Sequence, residues 1–241
     1  MRELKAIFFD IDDTLFSTSE FAKAARLNSV YAMIRAGLKC NVNDCIQELK
    51  EVTEEFGPNY ENHYDRLLLR LPKESYKGIN PAVIVAAGVV AYHQTKNSSL
   101  KPYDDVVEIL KSLSNTEIIL GIITAGLKIK QAEKLVRLDL LKYLDSRAIF
   151  ITDQIGIGKP NVKLYKNACD ALDLDPKSCM YVGDNPISDI DPPNKLGMIT
   201  VLNRRSGKYL TIVGKTPPKY TITDMWELLK IIKDDFGISV Q

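Results

Sequence analysis

The chain has 241 residues, 45% of them hydrophobic and 26% charged, which is enough to bury a substantial core in one or two domains. Its 32 basic and 31 acidic side chains nearly cancel, which argues against a chain held to nucleic acid or an anionic membrane by its overall field; a charged ligand has to be met locally. The start shows no secretory signal, the most apolar run (Pro81 to Tyr92) is too short to span a membrane, and the four cysteines form no Cys-x-x-Cys pair, so a cytoplasmic setting is expected.

The first element is a strand, Ala6 to Phe9, that runs directly into Asp10, Asp12, Asp13 and Thr14. A buried strand ending in acids is the pattern of a parallel sheet presenting ligands at its rim. Asp10 and Asp12 are two apart, so strand periodicity aims both to one side, where they repel unless a cation or a proton lies between them. That points to a metal site. The alternative reading is a polar turn capping the next helix.

From Ser17 to about Asn97 apolar residues recur at helical spacing, with helices expected up to about Gly37 and over Cys45 to Phe56, Tyr60 to Leu71 and Pro81 to about Lys96. Roughly eighty helical residues between two strands exceed what a crossover needs, so they form a second domain. The division expected is 1–16 with 98–241 as an α/β core and 17–97 as a helical insert, with Asn97 to Ser99 as a hinge.

From Lys101 helices and strands alternate. Helices are expected at Asp104 to Leu113, Lys128 to Leu138, Val162 to Leu172, Ile187 to Leu196 and Asp224 to Phe236. Strands are expected at Glu117 to Thr124, Arg147 to Ile151, Cys179 to Val182, Met198 to Leu202 and Tyr220 to Ile222. This alternation implies an α/β fold with a doubly wound, mainly parallel sheet.

Three later strand ends carry polar groups. Thr124, with Ala125 and Gly126 after it, stands before a helix whose free amides can hold an anion. Lys159 precedes Pro160 at another helix entrance, and Asp184 and Asp189 follow the strand at Tyr181. Singly, each has a bland reading: caps for Thr124 and Asp184, a solvated lysine for Lys159, a first-turn acid for Asp189. Rival motifs fail, because Gly156 to Gly158 lacks a third glycine and Gly158-Lys159 lacks a Walker glycine upstream. His63 and His93, the only histidines, leave too little for a zinc site or a serine triad.

Together and in order, Asp10, Asp12, Thr124, Lys159, Asp184 and Asp189 resemble the four motifs of the haloacid dehalogenase superfamily, and the helical insert resembles its type-1 cap. The chain is most similar to the phosphatase branch that includes N-acylneuraminate-9-phosphatase-like proteins and archaeal relatives. Asp191-Pro192-Pro193 departs from the Gly-Ala usual there and puts the start of the following helix in doubt.

The resemblance implies that Asp10 attacks phosphorus and that Asp12 is the acid and base, which needs a carboxyl able to hold a proton near neutral pH. It implies that Thr124, Ala125 and Lys159 bind the phosphoryl group. Magnesium fits an all-oxygen set of Asp10, the Asp12 backbone carbonyl, Asp184 and Asp189, the last directly or through water. The acid at position 12 speaks against dehalogenation, since a halide needs no proton. The activity expected is magnesium-dependent hydrolysis of a small phosphorylated metabolite by a monomer or homodimer; a phosphosugar mutase is the alternative, followed by a phospho-accepting signalling module. Asn59, Tyr60, His63, Tyr64 and Arg66 in the insert, with Lys128 or Arg204 in the core, are the candidates for choosing the leaving group.

Overall fold

The computed structural model describes residues 3–205 and 207–239; residues 1, 2, 206, 240 and 241 of the expected core domain lie outside the described residues. Among them, β1 (Ala6–Phe9), β2 (Ile119–Thr124), β3 (Ile149–Ile151), β4 (Cys179–Gly183), β5 (Ile199–Asn203) and β6 (Tyr220–Ile222) form one sheet in the order β3-β2-β1-β4-β5-β6. Every neighbouring pair is parallel. β1 lies between β2 and β4, with Phe9 opposite Ile122 and Val182. The residues just past these positions therefore leave the sheet along one edge, where α/β folds carry their chemistry.

Period-two alternation sorts the core. Ala6 and Phe8 pack on one face with Ile123, Tyr165, Tyr181 and Met198, while Ile7 and Phe9 are buried on the other. Burial on both faces accounts for strands that read as continuous apolar runs.

The chain divides into two units, one of Met1–Ser19 and Lys101–Gln241 and the other of Glu20–Leu100. The helical unit starts and ends three residues later than the expected 17–97. At the start, Thr18 and Ser19 are bonded to Asp12 and Asp13. At the end, the fourth helix runs through Asn97 to Ser99, so the expected hinge is helical.

The helices of this unit are α1 (Thr18–Arg35), α2 (Val42–Phe56), α3 (His63–Arg70) and α4 (Pro81–Ser99). α2 begins three residues early because Asn41 accepts from the Asn43 amide as its cap. α3 begins late because Tyr60 stacks on Phe56 at 4.9 Å and its amide turns back to Gly57. Val30, Met33, Leu49, Leu67 and Ile84 form the unit's core. Cys40 and Cys45 are joined in a disulfide across the start of α2, a local bridge that the absence of Cys-x-x-Cys spacing concealed. Among the described residues no helix is long and apolar enough to cross a membrane.

The α/β unit adds α5 (Asp104–Leu113), α6 (Lys128–Arg137), α7 (Thr152–Ile155), α8 (Val162–Asp170), α9 (Asp191–Lys195) and α10 (Met225–Phe236). The helix expected from Ile187 to Leu196 is divided: Pro186–Ile190 forms a wide π turn, and α9 follows. Pro192 and Pro193 fit there because early helical positions need no amide donor. Asp191 accepts from the Lys215 amide at 2.9 Å and from the Thr216 amide at 2.7 Å, so it anchors the loop that returns to β6.

Candidate active site

Asp10 follows β1 directly, and its amide still donates to Val182 at 2.9 Å. Asp184 follows β4, and Asp189 reaches back from the π turn. Their side chains are buried, at 8%, 4% and 1% exposure, and one carboxylate oxygen of each lies within 4.8 Å of the others. Three acids this close and this dry are unstable without positive charge.

Lys159 supplies part of that charge. Its Nζ donates to Asp10 Oδ1 at 2.9 Å, Asp189 Oδ1 at 2.9 Å and Tyr181 Oη at 2.6 Å, so all three ammonium protons are used. Burial works against the ammonium, but Asp10 and Asp189 outweigh it and hold its pKa well above the lysine range. Asp10 is pushed up to about 6, chiefly by burial, with Lys159 opposing and Asp189 and Asp12 adding to the rise.

Asp189 is fully committed. Its Oδ1 also accepts from Ser188 Oγ at 3.1 Å, and its Oδ2 accepts from the Asn185 amide at 3.1 Å. This fold-back requires Gly183, since a Cβ there would stand 2.4 Å from Asp189 Oδ2. Asp184 differs: its buried Oδ2 has no partner within the protein. Burial, then the charges of Asp189, Asp10 and Asp13, push its carboxyl up to about 8 against the pull of Lys159.

Asp12 has donors of its own. Its carboxylate accepts from Lys134 Nζ at 2.6 and 2.7 Å, from Thr18 Oγ1 at 2.6 Å and from Gln131 Nε2 at 3.3 Å. Burial raises this carboxyl, but Lys134 and the hydrogen bonds outweigh it and hold the pKa below the usual range. The role expected of Asp12 needs a carboxyl that can hold a proton near neutral pH, and in this arrangement Lys134 and the hydrogen bonds favour the ionised form instead. Asp12 also lies apart from the acid cluster in its side-chain bonding; only its backbone was assigned to a metal. Asp13, in a left-handed conformation at φ 53°, accepts from the Ser19 amide and hydroxyl, so the helix-capping reading holds for this residue.

Thr124 closes β2 with a fully buried side chain whose Oγ1 has no partner within the protein. The Gly126 amide, one of those expected to meet an anion, donates instead to Thr152 Oγ1 at 3.1 Å. A hard divalent cation suits the donor set. Asp10, Asp184 and Asp189 offer oxygen only, and the orphaned Asp184 Oδ2 is the buried atom most in need of a positive partner.

Residues 7–202 match the profile of the haloacid dehalogenase-like hydrolases. The chain belongs to the haloacid dehalogenase-like hydrolase family. Among relatives, it is 40% identical over 237 residues to the glyceraldehyde 3-phosphate phosphatase of Methanopyrus kandleri, covering 96% of this chain and 98% of that one. The corresponding protein of Pyrococcus furiosus is 39% identical over 239 residues, covering 98% and 96%. The mouse N-acylneuraminate-9-phosphatase is more distant, at 24% over 248 residues, covering 97% and 95%. The fold is shared with a HAD phosphatase from Thermococcus onnurineus at a TM-score of 0.64 and 23% identity, covering 95% of this chain and 98% of that chain.

Within this haloacid dehalogenase-like frame, the structure adds partners that strand-end reasoning missed. Tyr181 and Tyr165 stack edge-on at 5.1 Å beneath Lys159, and the Tyr165 hydroxyl donates to the Ser188 carbonyl. Gln131 and Lys134 come from the interior of α6, where their three-residue spacing is the only signal in the sequence. The candidates for leaving-group choice are largely spent elsewhere. Tyr64 is buried and donates to Ser29; Arg66 donates to Tyr60 Oη and covers the Phe56 ring; His63 bonds the Gly57 carbonyl. Arg204 donates to the carbonyls of Tyr209, Leu210 and Ile212.

Proposed function

We propose that this protein is a magnesium-dependent phosphatase that hydrolyses a small phosphorylated metabolite by way of an aspartyl phosphate on Asp10, and that the metabolite is a triose phosphate of the glyceraldehyde 3-phosphate kind. The observation that carries the reading is the clamp at Lys159, which fixes the Asp10 carboxylate in a cluster with Asp184, whose buried Oδ2 has no partner, while the neighbouring strand β2 ends in a second buried oxygen without one, Thr124 Oγ1. The substrate class follows the names of relatives at 39 to 40% identity that match nearly the whole chain.

In this reading Asp10 Oδ2, the oxygen not held by Lys159, attacks phosphorus while the leaving alkoxide departs in line. Lys159 offsets negative charge on nucleophile and phosphoryl group, and Thr124 Oγ1 donates to a phosphoryl oxygen. Asp10 and Asp184, with the Asp12 backbone carbonyl and Asp189, would hold magnesium, which would supply Lewis-acid neutralisation of the phosphoryl charge. Asp12, whose carboxyl Lys134 holds below the usual range, takes a proton from water when the aspartyl phosphate is hydrolysed. To protonate the leaving alkoxide it must first take up a proton and loosen its hold on Lys134.

The test is product analysis on glyceraldehyde 3-phosphate and a panel of sugar phosphates with magnesium. Stoichiometric release of phosphate and the free alcohol is expected, fastest with triose phosphates, and is abolished by chelator. Isomerised sugar phosphate without phosphate release would point to a mutase instead.

A further inference from the structure

We infer that Gln131 and Lys134 are positioning residues that set the aim of the Asp12 carboxylate and tie it to the strand end at Ala125; the inference rests on the hydrolytic reading above. An ionised carboxylate offers about four acceptor directions, two on each oxygen. In Asp12 all four are taken: Oδ1 by Thr18 Oγ1 and Lys134 Nζ, Oδ2 by Lys134 Nζ and Gln131 Nε2. The side chain therefore has no free rotation of its own: three of the four bonds come from α6, and the fourth comes from Thr18 at the start of α1.

Both partners are themselves fixed. The Lys134 ammonium lies 5.9 Å from the centroid of the buried Phe16 ring, and Phe16 pairs with Asp12 through a backbone bridge. Gln131 is 5% exposed, and its Nε2 also donates to the Ala125 carbonyl at 2.8 Å. One amide thus spans the acid and base on one side and the phosphoryl-binding strand end on the other. Gly126 makes room for it: its φ is +139°, and a Cβ there would stand 2.5 Å from Gln131 Nε2. Gln131 and Lys134 are three apart on α6, so one helix face carries both contacts.

The residue proposed to protonate the leaving group is thus aimed from α6, and a loss of aim should appear in proportion to how much the leaving group needs a proton. The experiment compares kcat/KM for a triose phosphate, an alkyl ester, with that for p-nitrophenyl phosphate, whose leaving group needs little help. Wild type, Lys134→Met, Lys134→Arg and Gln131→Leu are measured, each with its magnesium affinity and thermal midpoint.

For Lys134→Met we expect kcat/KM on the alkyl ester to fall about tenfold more than on the aryl ester, with magnesium affinity unchanged. Lys134→Arg, which keeps a cation with several donors, should restore the alkyl-to-aryl ratio toward wild type. Gln131→Leu should shift the ratio the same way, less strongly. Equal losses on both esters in folded, magnesium-binding variants, or no loss on either, would overturn the inference. Failure of the hydrolytic reading shows separately, as no magnesium-dependent phosphate release by wild type from either ester, and overturns both.

Discussion

Tyr181 Oη lies 2.6 Å from Lys159 Nζ and donates to the Ile123 carbonyl at 2.7 Å, so one phenol joins the lysine clamp to β2, the strand that ends in Thr124. Tyr181→Phe removes that link while keeping the ring in a fully buried position. The Ile123 carbonyl is left unpaired and Lys159 keeps only its two carboxylates. A loss of about 1 to 3 kcal/mol in urea unfolding is expected, together with a lower kcat. An unchanged unfolding midpoint would mean that the hydroxyl carries no structural role.

Magnesium affinity should depend on pH through Asp184. Its carboxyl is pushed up to about 8, first by burial and then by Asp189, Asp10 and Asp13, and a metal must displace that proton. Calorimetric affinity should fall roughly tenfold for each unit below about pH 8, with one proton released per ion. For a raised carboxyl the sign in chelator is set: its contribution to stability is full below the unfolded value and is lost as pH rises toward 8. A flat affinity between pH 6.5 and about 8.5 would show that Asp184 holds no proton for the metal to displace.

Asp105, at the start of α5, ties α10 and the strand end at Asn203 together. It accepts from Arg205 Nη1 at 2.7 Å and from Arg205 Nη2, from the Met225 amide at 2.7 Å and from the Val106 amide at 3.0 Å. Burial raises its carboxyl, but these donors outweigh it and hold the pKa below the usual value. For a depressed carboxyl the stability is present above the unfolded value, near 4, and is lost as pH falls through the folded one. Asp105→Ala should cost about 3 kcal/mol at pH 7, since it strands a largely buried guanidinium. The gap from wild type should narrow as pH falls through the folded value, where wild type loses the same bonds; a gap that stays constant as the pH is lowered would contradict this.

What could be read in advance was what short-range pattern determines. β1 announces itself by four apolar residues followed by acids, and Asp10, Thr124, Lys159 and Asp184 stand out because polar types interrupt strand ends or helix entrances. Lys134, Gln131 and Tyr181 carried no such mark. Two sit inside an amphipathic helix and one inside a strand, and their bonds to Asp12 and Lys159 span 22 to 122 residues of sequence, so only tertiary pairing reveals them. The same reason hid the partners of Asp12: its position was legible, its bonds to Lys134 and Gln131 were not. Asn97 to Ser99 reads as a breaker by composition but continues α4, where Ser98 Oγ bonds back to the Gln94 carbonyl. Arg204 and Arg66 read as free cations because nothing local shows that loop carbonyls and aromatic rings consume them.

The most direct test of the central claim is rapid quenching of the enzyme with phosphate-labelled glyceraldehyde 3-phosphate and magnesium, followed by peptide mapping of the trapped label. Label on Asp10 is predicted, formed and lost at rates that account for turnover, absent in Asp10→Asn, and accumulating in Asp12→Asn because the base for water is gone. Turnover that proceeds with Asp10→Asn, or label trapped on any other residue, would contradict the assignment of Asp10 as the nucleophile.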